Sequence, residues 1–195
     1  AAGLSAMVAN LTVGKKGYEA AWGELSDLAE RAQVVKDHLV RAVDEDTEAF
    51  TAAMAAMRMP KATPEEQAAR NLALEAGYRQ ASRVPLETAN ACLEAMRLSR
   101  EVAERGNANS ASDAGVAALM ARAGLEGAVL NVLINLGSVK DADFKMACRV
   151  ETDGLVTAGA SLLPPGFAFR SCRTSGRSAV VQRRYRSGLA DPAEG

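Results

Sequence analysis

Two aspartates, two asparagines and a lysine pair are the side chains whose types and spacing could do chemistry in this chain. Asp46 falls on an apolar helical stripe between Ala42 and Phe50. A carboxylate facing a core there is costly unless it is paired or hydrogen-bonded. Such a group could transfer protons at an active site, and a salt bridge to an arginine of another helix accounts for it equally well. Asp113 is a second carboxylate, in the first turn of a helix, where an acid also stabilises the helix dipole. Asn131 and Asn135 stand one turn apart, and Gly124, Ala128, Asn131 and Asn135 share a face. Small residues let a flat ligand or another helix approach, and the two amides could bond either one. Lys15-Lys16, close to Tyr18 and Trp22, could hold an anionic ligand carrying an aromatic system; the plainer reading is solvated charge at a helix end.

Other chemistries are excluded. His38 is the single histidine, so no histidine metal cluster can form, and no metal site is expected. Cys92, Cys148 and Cys172 lie far apart without C-x-x-C spacing, which gives neither a zinc site nor an even disulfide framework. A reducing cytoplasm is the simpler setting. No G-x-S-x-G or H-E-x-x-H occurs, and Gly14-Lys15-Lys16 lacks the flanking residues of a phosphate-binding loop. The net charge of -1 calls for neither nucleic acid nor an anionic membrane. No run of about 18 uninterrupted apolar residues is present, so no spanning helix is expected.

The elements that must position these groups are helical. Aromatics make up 4% of the 195 residues while alanine and leucine abound, a mix suited to helix packing rather than to sheets. Leu4, Met7, Val8 and Leu11 mark a first helix, closed by Gly14-Lys15-Lys16-Gly17. A stripe from Tyr18 through Trp22, Leu25, Leu28, Ala32, Val35, Leu39, Ala42, Phe50, Ala53 and Met57 predicts a helix of nearly 40 residues that stops before Pro60. Thr63-Pro64-Glu65-Glu66 reads as an N-cap, a proline at N1 and a capping box. The helix it starts runs toward Arg105-Gly106, with Val84-Pro85 expected to kink or split it. Ser110 or Ser112 caps the next helix, which ends at Leu136-Gly137, and Ser138-Val139-Lys140-Asp141 opens the last. Short turns between long helices imply an all-α antiparallel bundle of about five helices, and stripes this long imply a further partner, most simply a second copy.

The helical domain is expected over residues 1–160. Beyond it, Pro164-Pro165-Gly166 breaks the pattern, and six arginines against Asp191 and Glu194 predict a disordered basic tail over 161–195. At the other end, Ala1-Ala2-Gly3-Leu4 reads as the middle of a helix, so the start is expected to be a cut edge.

Several stretches resemble, in order, the formiminotransferase-cyclodeaminase family. Met7-Val8-Ala9-Asn10-Leu11-Thr12-Val13-Gly14-Lys15-Lys16 is similar to its M-V-x-x-L-T-x-G-[KR]-[KR] segment. Asp44-Glu45-Asp46-Thr47-Glu48-Ala49-Phe50 resembles its D-x-D-x-x-A-F, and Met59-Pro60-Lys61 its following [LM]-P-K. Val84-Pro85-Leu86 matches as well. Gly106-Asn107, Ser112-Asp113 and Asn131-Val132-Leu133-Ile134-Asn135-Leu136 are similar to its G-N…S-D…N-V-x-I-N-L.

The resemblance implies a helical domain that associates as dimers. It also implies conversion of 5-formiminotetrahydrofolate into 5,10-methenyltetrahydrofolate and ammonia, or the related methenyltetrahydrofolate cyclohydrolase reaction. A tetrahydrofolate derivative would be the substrate, with no prosthetic group. By the same resemblance, Asp46 and Asp113 are the catalytic candidates. Ser112, Asn131 and Asn135 are substrate-binding candidates, and Lys15 and Lys16 would meet the glutamate carboxylates of folate. The family's P-G-G-G-S-x-A stretch, expected just upstream, is not in this sequence. A helical association module without catalysis is the alternative from a different class.

Overall fold

Leucine- and alanine-rich stripes with clean start and stop signals fold into helices joined by short turns. The structure, a computed structural model, describes residues 1–163. The α-helices are α1 (Ala2–Asn10), α2 (Trp22–Met57), α3 (Pro64–Arg105), α4 (Ala111–Leu136) and α5 (Ala142–Leu162), and among the described residues there are no strands. Single 3-10 turns, Glu19–Ala21 and Ala108–Ser110, precede α2 and α4. The all-α expectation holds, although α1 is only 9 residues long. The expected tail falls outside the described residues from 164 onward, and α5 carries the helical domain to Leu162.

Local chemistry sets the helix ends. Gly14 and Gly17 take φ of 81° and 89° in the turn between α1 and α2, a region that favours glycine. Thr63 accepts from the Glu66 N–H while Glu66 accepts from the Thr63 N–H, so the expected capping box forms at the start of α3. Asp141 caps α5 by accepting from the Phe144 N–H, and Glu75 of α3 accepts from the Lys140 and Asp141 N–H groups. Neither serine caps α4 with its side chain: Ser110 stands at the N-cap position without such a bond, and Ser112 is exposed.

α3 is the wall against which every other helix packs. Arg31–Glu94, Arg105–Glu24 and the contact of Gly77 with Ala53 run α2 antiparallel to it. A Cβ at Gly77 would lie 3.0 Å from the Ala53 Cα, so glycine is what lets these two backbones close. Cys92 against Gly124, and Ala81 against Asn135, run α4 antiparallel to α3. α5 lies parallel to α3, through Arg79–Asp141 and Asn90–Glu151. The core between α3, α4 and α5 centres on Met96, Leu125, Val132 and Leu136; a second cluster joins α1 and α2 to α3 through Val8, Leu25, Leu98 and Val102.

The α2 stripe departs from expectation in its second half. Ala42, Ala49, Ala53 and Ala56 are buried, while Phe50 is 64% and Met57 40% exposed. Alanines win that face because α3 comes too close for larger side chains. Beyond Ala49, α2 and the first turns of α3 project past the rest of the bundle as a two-helix arm, with Leu72 74% exposed.

α4 also departs from expectation. By length and composition, Ala108–Leu136 is apolar enough to cross a membrane, a test that a soluble core helix also passes. Its inner face is buried on α3, but Val116, Met120, Leu130 and Ile134 on its outer face are exposed.

Candidate functional site

Pro85 is the structural centre of the candidate site. A proline inside a helix has no N–H for the carbonyl four residues back, here that of Ala81. α3 nevertheless continues unbroken through it, where a kink or split was expected. The Asn135 side chain of α4 accounts for this: its Nδ2 donates to the Ala81 oxygen at 2.6 Å, replacing the bond that proline removed. Asn135 therefore pins α4 across the interruption in α3, the cross-helix role open to it from sequence.

Next to this interruption lies an open groove of about 390 Å³. Leu39, Ala42, Val43, Asp46 and Thr47 of α2 form one wall, Val84, Pro85 and Thr88 of α3 the floor, and Gly124, Gly127, Ala128 and Asn131 of α4 the other wall. Asp46 is thus not buried on the core stripe: it is exposed and faces open space beside small residues. No desolvation cost needs balancing there, and among the described residues no arginine pairs with it. Asn131 is also exposed, with its amide open to the same groove. A second open groove of about 440 Å³ adjoins it at Leu39 and Val43, and is lined by Ala1, Ala2, Gly3, Lys36, Val40 and Asp44. Sequence reasoning missed the floor residue Thr88 and the wall residue Thr47; Thr47 directly follows Asp46 and Thr88 lies one turn after Pro85, which is the signal that could have found them.

The remaining candidates gather at the far end of α4. Thr12, fully buried after α1, accepts from the Asn107 N–H at 2.8 Å, and the Tyr18 hydroxyl accepts from the Ala108 N–H at 3.1 Å. These bonds dock the Lys15-Lys16 turn against the start of α4, where Ser112 is exposed and Asp113 half-buried. The Trp22 Nε1 is buried without a hydrogen-bond partner among the described residues. Asp113 and Asn131 are 18 residues apart on one straight helix, a separation of about 27 Å at 1.5 Å per residue. A single chain therefore presents two half-sets: Asp46 with Asn131 in the groove, and Asp113 with Lys15 and Lys16 at the other end.

A carboxylate and an amide thus stand together in a groove lined by small residues between three helices of an all-α bundle. The chain belongs to the formiminotransferase-cyclodeaminase family, whose sequence profile matches residues 1–154. It is 40% identical over 161 residues to a methenyltetrahydrofolate cyclohydrolase of Methylorubrum extorquens, covering 83% of this chain and 77% of that protein. It is 36% identical over 155 residues to the formimidoyltransferase-cyclodeaminase of Rattus norvegicus, covering 80% of this chain but 29% of that longer protein. The fold is similar to that of formiminotetrahydrofolate cyclodeaminase from Thermotoga maritima, with a TM-score of 0.75, 26% identity and coverage of 92% of this chain and 82% of that one.

Proposed function

We propose that this chain is an enzyme acting on a one-carbon unit carried by tetrahydrofolate, and that it closes 5-formiminotetrahydrofolate to 5,10-methenyltetrahydrofolate with release of ammonia. The observation that carries this reading is the groove at Pro85, which sets the Asp46 carboxylate and the Asn131 amide around a space open to a flat ring. Family membership supplies the substrate class.

In the reaction, N10 of the folate attacks the formimino carbon and gives up its proton to a base. The former imino nitrogen, already protonated in the starting amidinium, takes a further proton from an acid and leaves as ammonia, and the carbon becomes the cationic methenyl bridge. A carboxylate suits both transfers, and its charge stabilises the cation as it develops. Asp46 takes one of these roles in the groove and Asp113 the other, the second carboxylate coming from another copy of the chain because about 27 Å of α4 separates it from Asn131 within one. Asn131 orients the pterin, with Ser112 a further polar contact. Lys15 and Lys16 meet the glutamate carboxylates. Asn135 acts one layer back, by holding α4 to α3.

A second reading, hydrolytic opening of the methenyl bridge by water, is favoured by the 40% identical cyclohydrolase, a protein of which the chain covers 77%. Near-UV absorbance separates the two. Growth of the methenyl band from 5-formiminotetrahydrofolate, with ammonia release, supports ring closure. Decay of added methenyltetrahydrofolate without reaction of the formimino compound supports hydrolysis. In either case Asp46→Asn is expected to lower kcat by about 10²- to 10⁴-fold, and full activity in that variant removes Asp46 from the mechanism.

A further inference from the structure

Thr47 and Thr88 both line the groove at Pro85, and neither has a proton left to offer a ligand there. Thr47 Oγ1 donates to the Val43 carbonyl and Thr88 Oγ1 to the Val84 carbonyl, each at 3.0 Å and each one turn back in its own helix. A hydroxyl carries a single proton, so once that bond is made its oxygen can only accept. Asp46, next to Thr47, accepts only as a carboxylate. α2 and α3 therefore supply three acceptors and no side-chain donor to the groove.

The backbone adds no donor. The groove crosses the middle stretches of α2, α3 and α4, more than a turn from the start of each, where the amide N–H groups are taken up within the helices. Residue 85, on the floor, is a proline and has no N–H. None of the described residues lining the groove is lysine, arginine or histidine. Lys36 borders the adjoining groove and pairs with Asp37 at 3.0 Å. On the α4 wall, Asn131 stands among Gly124, Gly127 and Ala128, and its amide can both donate and accept. The groove is thus one-sided. An anion against α2 and α3 would meet lone pairs alone, whereas a cation that only donates finds three partners.

We infer that the α2–α3 side of the groove holds the departing nitrogen of the one-carbon unit, with Thr47 and Thr88 accepting its N–H groups while Asn131 faces the ring. The inference rests on the folate reading for the identity of the substrate. In the amidinium of 5-formiminotetrahydrofolate that nitrogen carries two protons and no free lone pair. N10 adds to the carbon, its proton passes to a base, and the electron pair of the C–N double bond moves onto the departing nitrogen. One proton from the acid makes it an ammonium group with three N–H donors. The remaining C–N bond then breaks, its electron pair leaves with ammonia, and the N5 lone pair completes the methenyl bridge. The donor count rises from two to three before cleavage, so acceptors placed here bind the transition state more tightly than the substrate. The threonines then act on kcat more than on KM.

Valine keeps the shape of threonine and removes the acceptor, while the helix carbonyl behind it keeps its backbone bond. Thr47→Val and Thr88→Val are each expected to lower kcat for the formimino compound about 10-fold, with KM changed less than about twofold. Thr88→Ser, which restores the oxygen, is expected to restore the rate. Thr157→Val is the control: its hydroxyl makes the same kind of bond, to the Asp153 carbonyl at 2.8 Å, on α5 away from the groove, and turnover is expected to be unchanged. Wild-type kcat in both valine variants of the groove, or a loss that serine does not restore, overturns the inference.

A second readout needs no turnover. Formamidinium chloride presents the reacting amidine alone, and at ten times its Kd it is expected to raise the wild-type Tm by about 3 °C. The shift is expected to shrink in Thr88→Val and to be absent with tetramethylammonium chloride, which has the same charge and no N–H. Equal shifts from the two cations would make the Asp46 charge sufficient and overturn the role of the hydroxyls. A formamidinium shift that depends on Thr88, in a chain that turns over neither folate substrate, refutes the folate reading and leaves the acceptor-only site standing. Turnover of the formimino compound with no formamidinium shift and undiminished valine variants overturns the inference and leaves the folate reading standing.

Discussion

Asn135→Ala removes the donor that stands in for the missing N–H of Pro85, and leaves the Ala81 carbonyl without a partner. An unsatisfied buried polar group costs about 1–3 kcal/mol, and Ala81 is only half-buried, so the lower part of that range applies, about 1–2 kcal/mol. For a domain of this size that is a drop in Tm of about 3–6 °C. The sharper form of the experiment is a double-mutant cycle with Pro85→Ala. Alanine at 85 restores the backbone N–H, which bonds the Ala81 carbonyl in the ordinary helical way, so Asn135→Ala in that background costs close to nothing. The expected coupling is about 1–2 kcal/mol, read from urea unfolding followed by circular dichroism at 222 nm. Costs that add to within about 0.5 kcal/mol would show that Asn135 and Pro85 act independently. Asn131→Ala is the control: its amide is exposed and bonds nothing among the described residues, and its removal is expected to move stability by less than about 0.5 kcal/mol.

Gly77→Ala is expected to destabilise the fold by about 1–3 kcal/mol, because its Cβ would press on the Ala53 backbone, whereas Gly154→Ala, which meets nothing within 4 Å, is expected to stabilise α5 by up to about 1 kcal/mol; equal Tm changes in the two variants would contradict the close approach of α2 and α3. The Phe144 N–H, and after it Arg79, hold the Asp141 carboxyl below its usual value of 3.8. A depressed carboxyl contributes stability that is full above that value and is lost as pH falls through the lower folded one. Asp141→Asn should therefore lower Tm at neutral pH and converge with wild type in the most acidic range, and a gap that stays constant with pH would remove Asp141 from the acid response.

Helix number and most helix ends were legible because they depend on neighbours in sequence. Thr63, Pro64 and Glu66 specify the start of α3 without help from the rest of the chain. What the sequence did not reveal depends on groups distant along it. The spacing of Asp46 puts it on a stripe, but only the position of α4 decides whether that stripe is core or groove, and small residues at Gly124 and Gly127 leave it a groove. Pro85 reads as a break because the bond that replaces its own reaches the Ala81 carbonyl from Asn135, 54 positions from Ala81 and out of reach of any local pattern. The polar pair Asn131 and Asn135 looks alike in sequence, and only packing assigns one amide to open space and the other to a carbonyl. The apolar outer face of α4 was visible as composition, yet a rule based on uninterrupted apolar runs passed over it because Arg122 and Glu126 interrupt it.

The projecting arm formed by the end of α2 and the start of α3 also means that stability is not shared evenly along the chain. It is held by the alanine-to-glycine contact of Ala53 with Gly77 and by a bond from Arg70 to the Met57 carbonyl, while its large apolar side chains Phe50 and Leu72 are exposed. Such a segment opens at a free energy well below that of the whole domain. Amide hydrogens from Phe50 to Leu72 then exchange with solvent while the core around Met96 and Leu125 stays closed, so the molecule carries a locally opening hairpin on a cooperative base.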